Sequence, residues 1–308
     1  MNYIKLGQTA IEVSRITFGC WELGGGVWEK AADEQNIHAI QVAFENGITS
    51  FDTAEAYGDG HSEKITGLAL QGKRKECVIA SKVRKDNLKP ADIRRAVENS
   101  LKRLQTDYLD IYYIHWPNPD IPLAETMTEM GKLKAEGIIR AIGVSNFSLA
   151  QLQEAANYAR IDVIQPEYSL LQRDIEREIL PYCKQNSIAV MSYSSIAKGI
   201  LTGAFHLGKA KLKEGDFRST RRLFLPEHLE KETELIMALK EIAASKNATI
   251  SQIAISWLLH QEGLTSAIVG TQNEKHLLEN IQASNIRLTA AELSQLDQVS
   301  RKVLDSLS

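Results

Sequence analysis

Eight short apolar runs recur along the chain, each ending in polar residues, and segments with helical apolar spacing separate them. The runs lie at 16–19, 49–52, 78–82, 109–115, 141–144, 163–165, 189–192 and 267–269. The helical segments fall at 34–46, 61–71, 90–104, 122–136, 148–158, 173–186 and over a longer stretch at 227–260. Runs this short and this apolar suit strands buried on both faces rather than helices. Their alternation with helices makes a parallel sheet, and eight units favour closure into an α/β (β/α)8 barrel over an open doubly wound sheet. Residues 4–6 and 13–16, around GQTAIE, read as a β-hairpin ahead of the barrel. A further helix is expected from about Glu274, and an extra C-terminal helix over 288–304, opened by a capping box of Thr289 and Glu292. Pro90 and Ser148 mark two other helix starts.

At 308 residues the chain suits one such barrel, and without linker or repeat the expectation is a single domain over 1–308. Apolar residues at 44% and charged residues at 24% describe an ordinary globular chain. A net charge of −3 gives no reason to expect nucleic acid or an anionic membrane as partner. The opening MNYIKLGQTAIEVSR has no apolar h-region, and no stretch approaches the roughly 18 residues of a membrane span. Cys20, Cys77 and Cys183 are too far apart for a metal spacing, so neither a disulfide framework nor a metal site is expected. The expected compartment is the cytoplasm.

A barrel gathers the ends of its strands on one rim, where such folds carry their chemistry. Asp52, Lys82 and His115 end three of the runs, and Tyr57 follows Asp52 by five residues. Together they can make a proton-donating site for a carbonyl oxygen: a phenol, a cation to lower its pKa, a carboxylate to hold the cation, and an orienting imidazole. The other run ends offer Ser145 and Asn146, Gln165, Tyr193 with Ser194, and Gly270 with Thr271. The amides suit a nicotinamide carboxamide, Tyr193 a flat ring stacked on it, and the stretch at Gly270 the close approach of a phosphate. Alone, Asp52 would read as a loop cap and His115 as a core histidine. Four groups in this order, each followed by a matching segment, favour the site.

In FDTAEAYGDGHSE (51–63), ASK (80–82), YLDIYYIHWP (108–117), IRAIGVSNFS (139–148), IQPEYSLLQR (164–173), SYSSIAKGILTG (192–203) and AIVGTQNEKHLLENIQA (267–283), the sequence resembles the aldo-keto reductase superfamily over nearly its whole length. Within it the chain is most similar to bacterial oxidoreductases of the inositol-catabolism type, with GDFRSTRRLF (215–224) matching their long loop. The resemblance implies a TIM barrel, NADP(H) as cofactor, and reduction of small aldehydes or ketones, or oxidation of the corresponding alcohols. It makes Tyr57 the general acid, supported by Lys82 and Asp52, with His115 orienting the carbonyl. Ser145, Asn146 and Gln165 would hold the carboxamide above Tyr193. Ser194, Ile196 and Leu201 would line the pyrophosphate path, with Lys198, Gly199, Arg218, Gly270, Thr271, Gln272 and His276 completing the cofactor contacts. Glu279 and Asn280 would meet the adenine. A regulatory subunit similar to potassium-channel β subunits is the alternative that the resemblance allows, though the intact four-residue set argues for turnover.

Trp21, Trp28 and Trp116 follow strands or lie in loops on the rim and are expected in the substrate pocket. Gly58-x-Gly60 looks like a dinucleotide fingerprint fragment, but Glu63 stands where a third glycine is required. Gly24-Gly25-Gly26 reads as a flexible loop. Residues 199–225 form a long Gly-, Lys- and Arg-rich stretch without period, expected to be functional or mobile. Many relatives place a basic residue in the stretch matching Gly270-Thr271-Gln272; here none stands there, so NAD(H) remains open beside NADP(H). Oligomeric state is not legible in the sequence.

Overall fold

The computed structural model describes residues 1–25 and 31–307; Trp28 lies outside the described residues. Strands β1 (Tyr3–Lys5) and β2 (Glu12–Ser14) pair antiparallel as the expected hairpin. Eight more strands follow: β3 (Ile16–Gly19), β4 (Ser50–Asp52), β5 (Val78–Val83), β6 (Leu109–Ile114), β7 (Ile139–Ser145), β8 (Val163–Gln165), β9 (Ala189–Ser192) and β10 (Ser266–Val269). They close in the order β10-β3-β4-β5-β6-β7-β8-β9, every neighbouring pair parallel. The crossovers carry α1 (Asp33–Glu45), α2 (His61–Ala69), α3 (Pro90–Leu104), α4 (Leu123–Ala135), α5 (Leu149–Ala156), α6 (Ile179–Asn186), α7 (Pro226–Ser245) and α8 (Ile250–Leu259). After β10 come α9 (Glu274–Gln282) and α10 (Ala290–Leu307).

The period of two along each strand divides the core. Ala80, Ile111, Tyr113, Ala141, Val163 and Met191 point into the barrel, where they meet Leu6, Ile11 and Val13 beside the hairpin. The hairpin thus stops one end of the barrel. Ile79, Tyr112, Ile114, Val144, Ile164 and Val190 point outward into the layer shared with the helices. Each aliphatic side chain so buried contributes roughly 1.5–3 kcal/mol. Counting on by two or four from the interior positions reaches Lys82, His115, Ser145, Gln165 and Tyr193. The functional candidates therefore continue the core's own alternation past the last hydrophobic layer.

Two expectations need correction. The stretch 227–260 is not one helix: α7 ends at Ser245, Asn247 takes a left-handed φ of 50°, and Thr249 opens α8 through a capping box with Gln252. Thr-x-x-Gln is a start signal inside an apolar pattern that otherwise reads as continuous. The segment 173–186 is helical only from Ile179, because Arg173 turns to bind Glu176 and Asp297 at 2.7 and 2.9 Å and leaves a short 3-10 turn. The capping boxes at Ser148 and Thr289 are both formed. Helix α10 lies along α7 and is pinned through Asp297, which accepts from Trp257 Nε1 at 3.1 Å, and Ser300, which donates to the Leu170 carbonyl at 2.6 Å.

Candidate active site

Strand register sets the first contact. Asp52 pairs with Ala80, so Lys82, two residues on, rises one layer above it on the same interior side. There the buried Lys82 ammonium donates to Asp52 Oδ1 at 2.5 Å, to the Thr53 carbonyl at 2.8 Å and to Tyr57 Oη at 3.1 Å. Gln165 holds the second oxygen of Asp52 through Nε2 at 2.7 Å. The His115 ring meets Tyr57 edge-on, with centroids 5.6 Å apart. Tyr57 itself is placed by a tight turn. A side chain at Gly24 would come within 2.6 Å of the Tyr57 carbonyl carbon and 2.7 Å of the Gly58 nitrogen, so Gly24 is a packing requirement of this turn.

The electrostatics differ from the sequence expectation in one respect. Burial opposes charge on Lys82, but the Asp52 carboxylate and the Tyr57 oxygen outweigh it and hold the ammonium above its usual pKa. For Tyr57 burial wins: it raises the phenol above 10, and Lys82 offsets only part of that rise. The cation restrains the pKa without bringing it below the ordinary value. His115 is pushed down to about 3 by burial and by the charges of Lys82 and Arg84, so the imidazole is neutral at pH 7.

These groups open onto a cavity of about 1090 Å³, large enough for a dinucleotide and a small substrate together. Asp52, Tyr57, His115, Ser145, Asn146, Gln165 and Tyr193 line one end. Asn146, in a left-handed conformation, donates to the His115 carbonyl at 3.1 Å and accepts from Tyr193 Oη at 2.8 Å, which fixes the Tyr193 ring. Ser145 donates to the Gln165 carbonyl at 2.7 Å. Ser194, Ile196, Lys198, Gly199, Arg218, Gly270 and Thr271 also line it, as do His276, Glu279 and Asn280 of α9. Lys198 is paired with Glu167 at 2.6 Å. Leu201 is fully buried and Gln272 gives its amide to the Glu22 carbonyl at 3.0 Å; neither lines the cavity.

Trp21 lines the mouth, tilted against Tyr57 at 6.3 Å and edge-on to Phe217 at 5.8 Å, while Trp116 is half-exposed beside His115. Glu63 is buried against Ser81 and Arg103, at 2.5 and 2.6 Å, tying α2 to β5 next to Lys82. Glu274, the first residue of α9, meets His38 on α1 at 3.1 Å. Sequence reasoning missed Glu22, Glu167, Phe217 and Lys240, all part of the site or its wall. Only Glu22, directly after Trp21, had a positional signal. Lys209 and Arg221 of the basic stretch also reach the cavity, whereas Arg222 turns away to the Leu307 carbonyl.

The chain as a whole matches known proteins. The model of the Aldo/keto reductase family covers residues 15–301. The aldo-keto reductase YhdN of Bacillus subtilis is 37% identical over 90% of this chain and 87% of its own length. The NADH-specific methylglyoxal reductase of Escherichia coli is 35% identical, covering 97% of this chain and 98% of that protein. A Klebsiella pneumoniae aldo/keto reductase solved with NADP and acetate superposes with a TM-score of 0.76 at 35% identity, over 94% of this chain and 92% of that one. With the closed barrel and the rim just described, these matches leave one assignment: the chain belongs to the aldo/keto reductase family.

Proposed function

We propose that the chain, acting as one domain over 1–308, transfers a hydride between NADP(H) and a small aldehyde or ketone, or the corresponding alcohol. The observation that carries this reading is the Tyr57 hydroxyl held 3.1 Å from a buried, carboxylate-bound ammonium at the end of the cavity. When bound, the nicotinamide supplies or accepts the hydride. Tyr57 keeps its proton at neutral pH and donates it to the carbonyl oxygen as negative charge develops there. Lys82 stabilises the phenolate that forms, and Asp52, gripped from its other side by Gln165, keeps Lys82 charged and in place. Neutral His115 offers a ring N–H to the same oxygen without adding charge. Trp21, Trp116 and Phe217 exclude water from one side of the reacting centre.

The cavity's donors suit the cofactor. Asn146 and Ser145 face a carboxamide, Tyr193 offers its ring, and Lys209, Arg218, Arg221 and His276 supply donors for phosphates. Glu274, the first residue of α9, turns to His38 and does not line the cavity. NADP(H) is therefore the preferred cofactor, with NAD(H) a competitor, since one relative is NADH-specific and a structural neighbour holds NADP. The stretch 215–224 supports placing the chain with the inositol-catabolism type. A regulatory subunit without turnover would have no use for a buried ammonium against a phenol. Oxidation of NADPH and of NADH, followed by absorbance against a panel of aldehydes, ketones and dicarbonyls, tests the reading. We expect turnover of at least one small carbonyl with NADPH; none with either cofactor would overturn it.

A further inference from the structure

One carboxylate in the cavity takes no part in the proton chemistry. Glu22 sits in the 3-10 turn Glu22–Gly24 that follows β3, and it lines the cavity wall. Its neighbours lead to both parts of the site. Trp21 before it packs on Tyr57. Gln272, which donates to its carbonyl at 3.0 Å, leads into α9, whose Glu279 and Asn280 line the same cavity. A dinucleotide reaching from Tyr57 to α9, as in the reading above on which this inference rests, runs along the wall that holds Glu22.

We propose that Glu22 is a residue that sets dinucleotide affinity by working against it: its carboxylate repels the diphosphate, keeps binding weak and release fast, and makes affinity fall as pH rises. An anion beside an anion in a partly buried site is costly. Burial pushes the Glu22 carboxyl up to about 7, against the pull of Arg218 and of the Gln272 backbone amide. Near neutrality the residue therefore passes between a neutral acceptor and a repelling anion. Among the described residues, Arg218, bound to Asp216 on the long loop, is the charged group that acts on it, while Tyr57 lies beyond Trp21 and His276 lines the same cavity. Tyr57 stays neutral through this range and Arg218 holds Asp216 below its usual carboxylate range, so neither changes charge there. His276 is left in place in every variant below and cancels from the comparison.

The test is the dissociation constant of NADPH and of NADH, by fluorescence quenching, for wild type, Glu22→Gln and Glu22→Asp at about pH 5.5 and about pH 8.5. Glu22→Gln should bind both cofactors at least about fivefold tighter at the higher pH, with a matching fall in dissociation rate, and less than about twofold tighter at the lower. Glu22→Asp, which keeps the charge, should stay weak and keep the pH dependence. Unchanged affinity in Glu22→Gln at the higher pH overturns the inference while leaving the function standing. Weaker binding also overturns it, and makes Glu22 an acceptor for a ribose hydroxyl instead. A wild-type chain that binds neither dinucleotide removes the proposed function and this inference together.

Discussion

A phenol is a poor acid in water, with a pKa near 10, and at Tyr57 burial makes it poorer still. In the proposed reaction the site supplies a place for the product of proton donation: an ammonium 3.1 Å away that is itself held by Asp52. The benefit therefore falls on the transition state rather than on the resting enzyme. Tyr57→Phe keeps the ring against Trp21 and His115 but removes the proton. We expect kcat to fall by at least about 10²-fold with cofactor affinity within about twofold of wild type. Steady-state rates and cofactor titration check both halves, and a variant keeping more than half its kcat would remove Tyr57 as the acid. Adding Lys82→Met to Tyr57→Phe should cost little more, because the two act as one unit.

At the scale of elements, the stretch 199–225 has no period because short turns and contacts between residues well apart within it hold it, rather than a regular helix or strand. It forms 3-10 turns at Ala197–Thr202, Phe217–Thr220 and Arg222–Phe224. Phe205 meets Phe224 edge-on at 5.3 Å, and the Arg218 guanidinium lies 5.7 Å from both rings. Lys211 and Lys213, between these anchors, are exposed. Phe217 and Arg218 reach the site while the lysines beside them face water. Bound cofactor would fasten the anchored residues and so protect the exposed ones. Limited trypsin digestion within 209–222 should slow several-fold when NADPH is added. Equal rates with and without cofactor would mean that the loop does not close on it. The split between α7 and α8 has a similar cause: one left-handed asparagine and one threonine cap interrupt apolar spacing that continues across them.

For the molecule as a whole, the His115 imidazole of the site leaves a mark on stability. The folded chain keeps His115 neutral down to about 3, whereas an unfolded histidine takes a proton near 6.5. Its folded pKa is depressed, so the unfolded state binds more protons between those values. Its contribution is fully present above pH 6.5 and is lost as pH falls towards 3. Glu22, raised to about 7, contributes in the opposite sense over the same range, so the His115 part is read as a difference: urea denaturation should show wild type losing stability relative to His115→Gln between about pH 6.5 and 5. Equal slopes in the two proteins would assign any decline to other groups.

The alternation of strand and helix, the polar residue at each run's end and the two-residue period inside the barrel are local properties of the chain. They were enough to place Asp52, Lys82, His115, Ser145, Gln165 and Tyr193 on one rim, because a parallel barrel leaves few other destinations for strand ends. Partners and pKa directions were not legible in the same way. That Gln165 grips Asp52 from across the barrel, that Gly24 packs on the Tyr57 turn, that Glu22 faces the cavity and that burial outweighs Lys82 at Tyr57 all depend on distances between residues far apart in sequence. Desolvation and hydrogen bonding act over a few ångströms of space, which only the closed tertiary structure assigns.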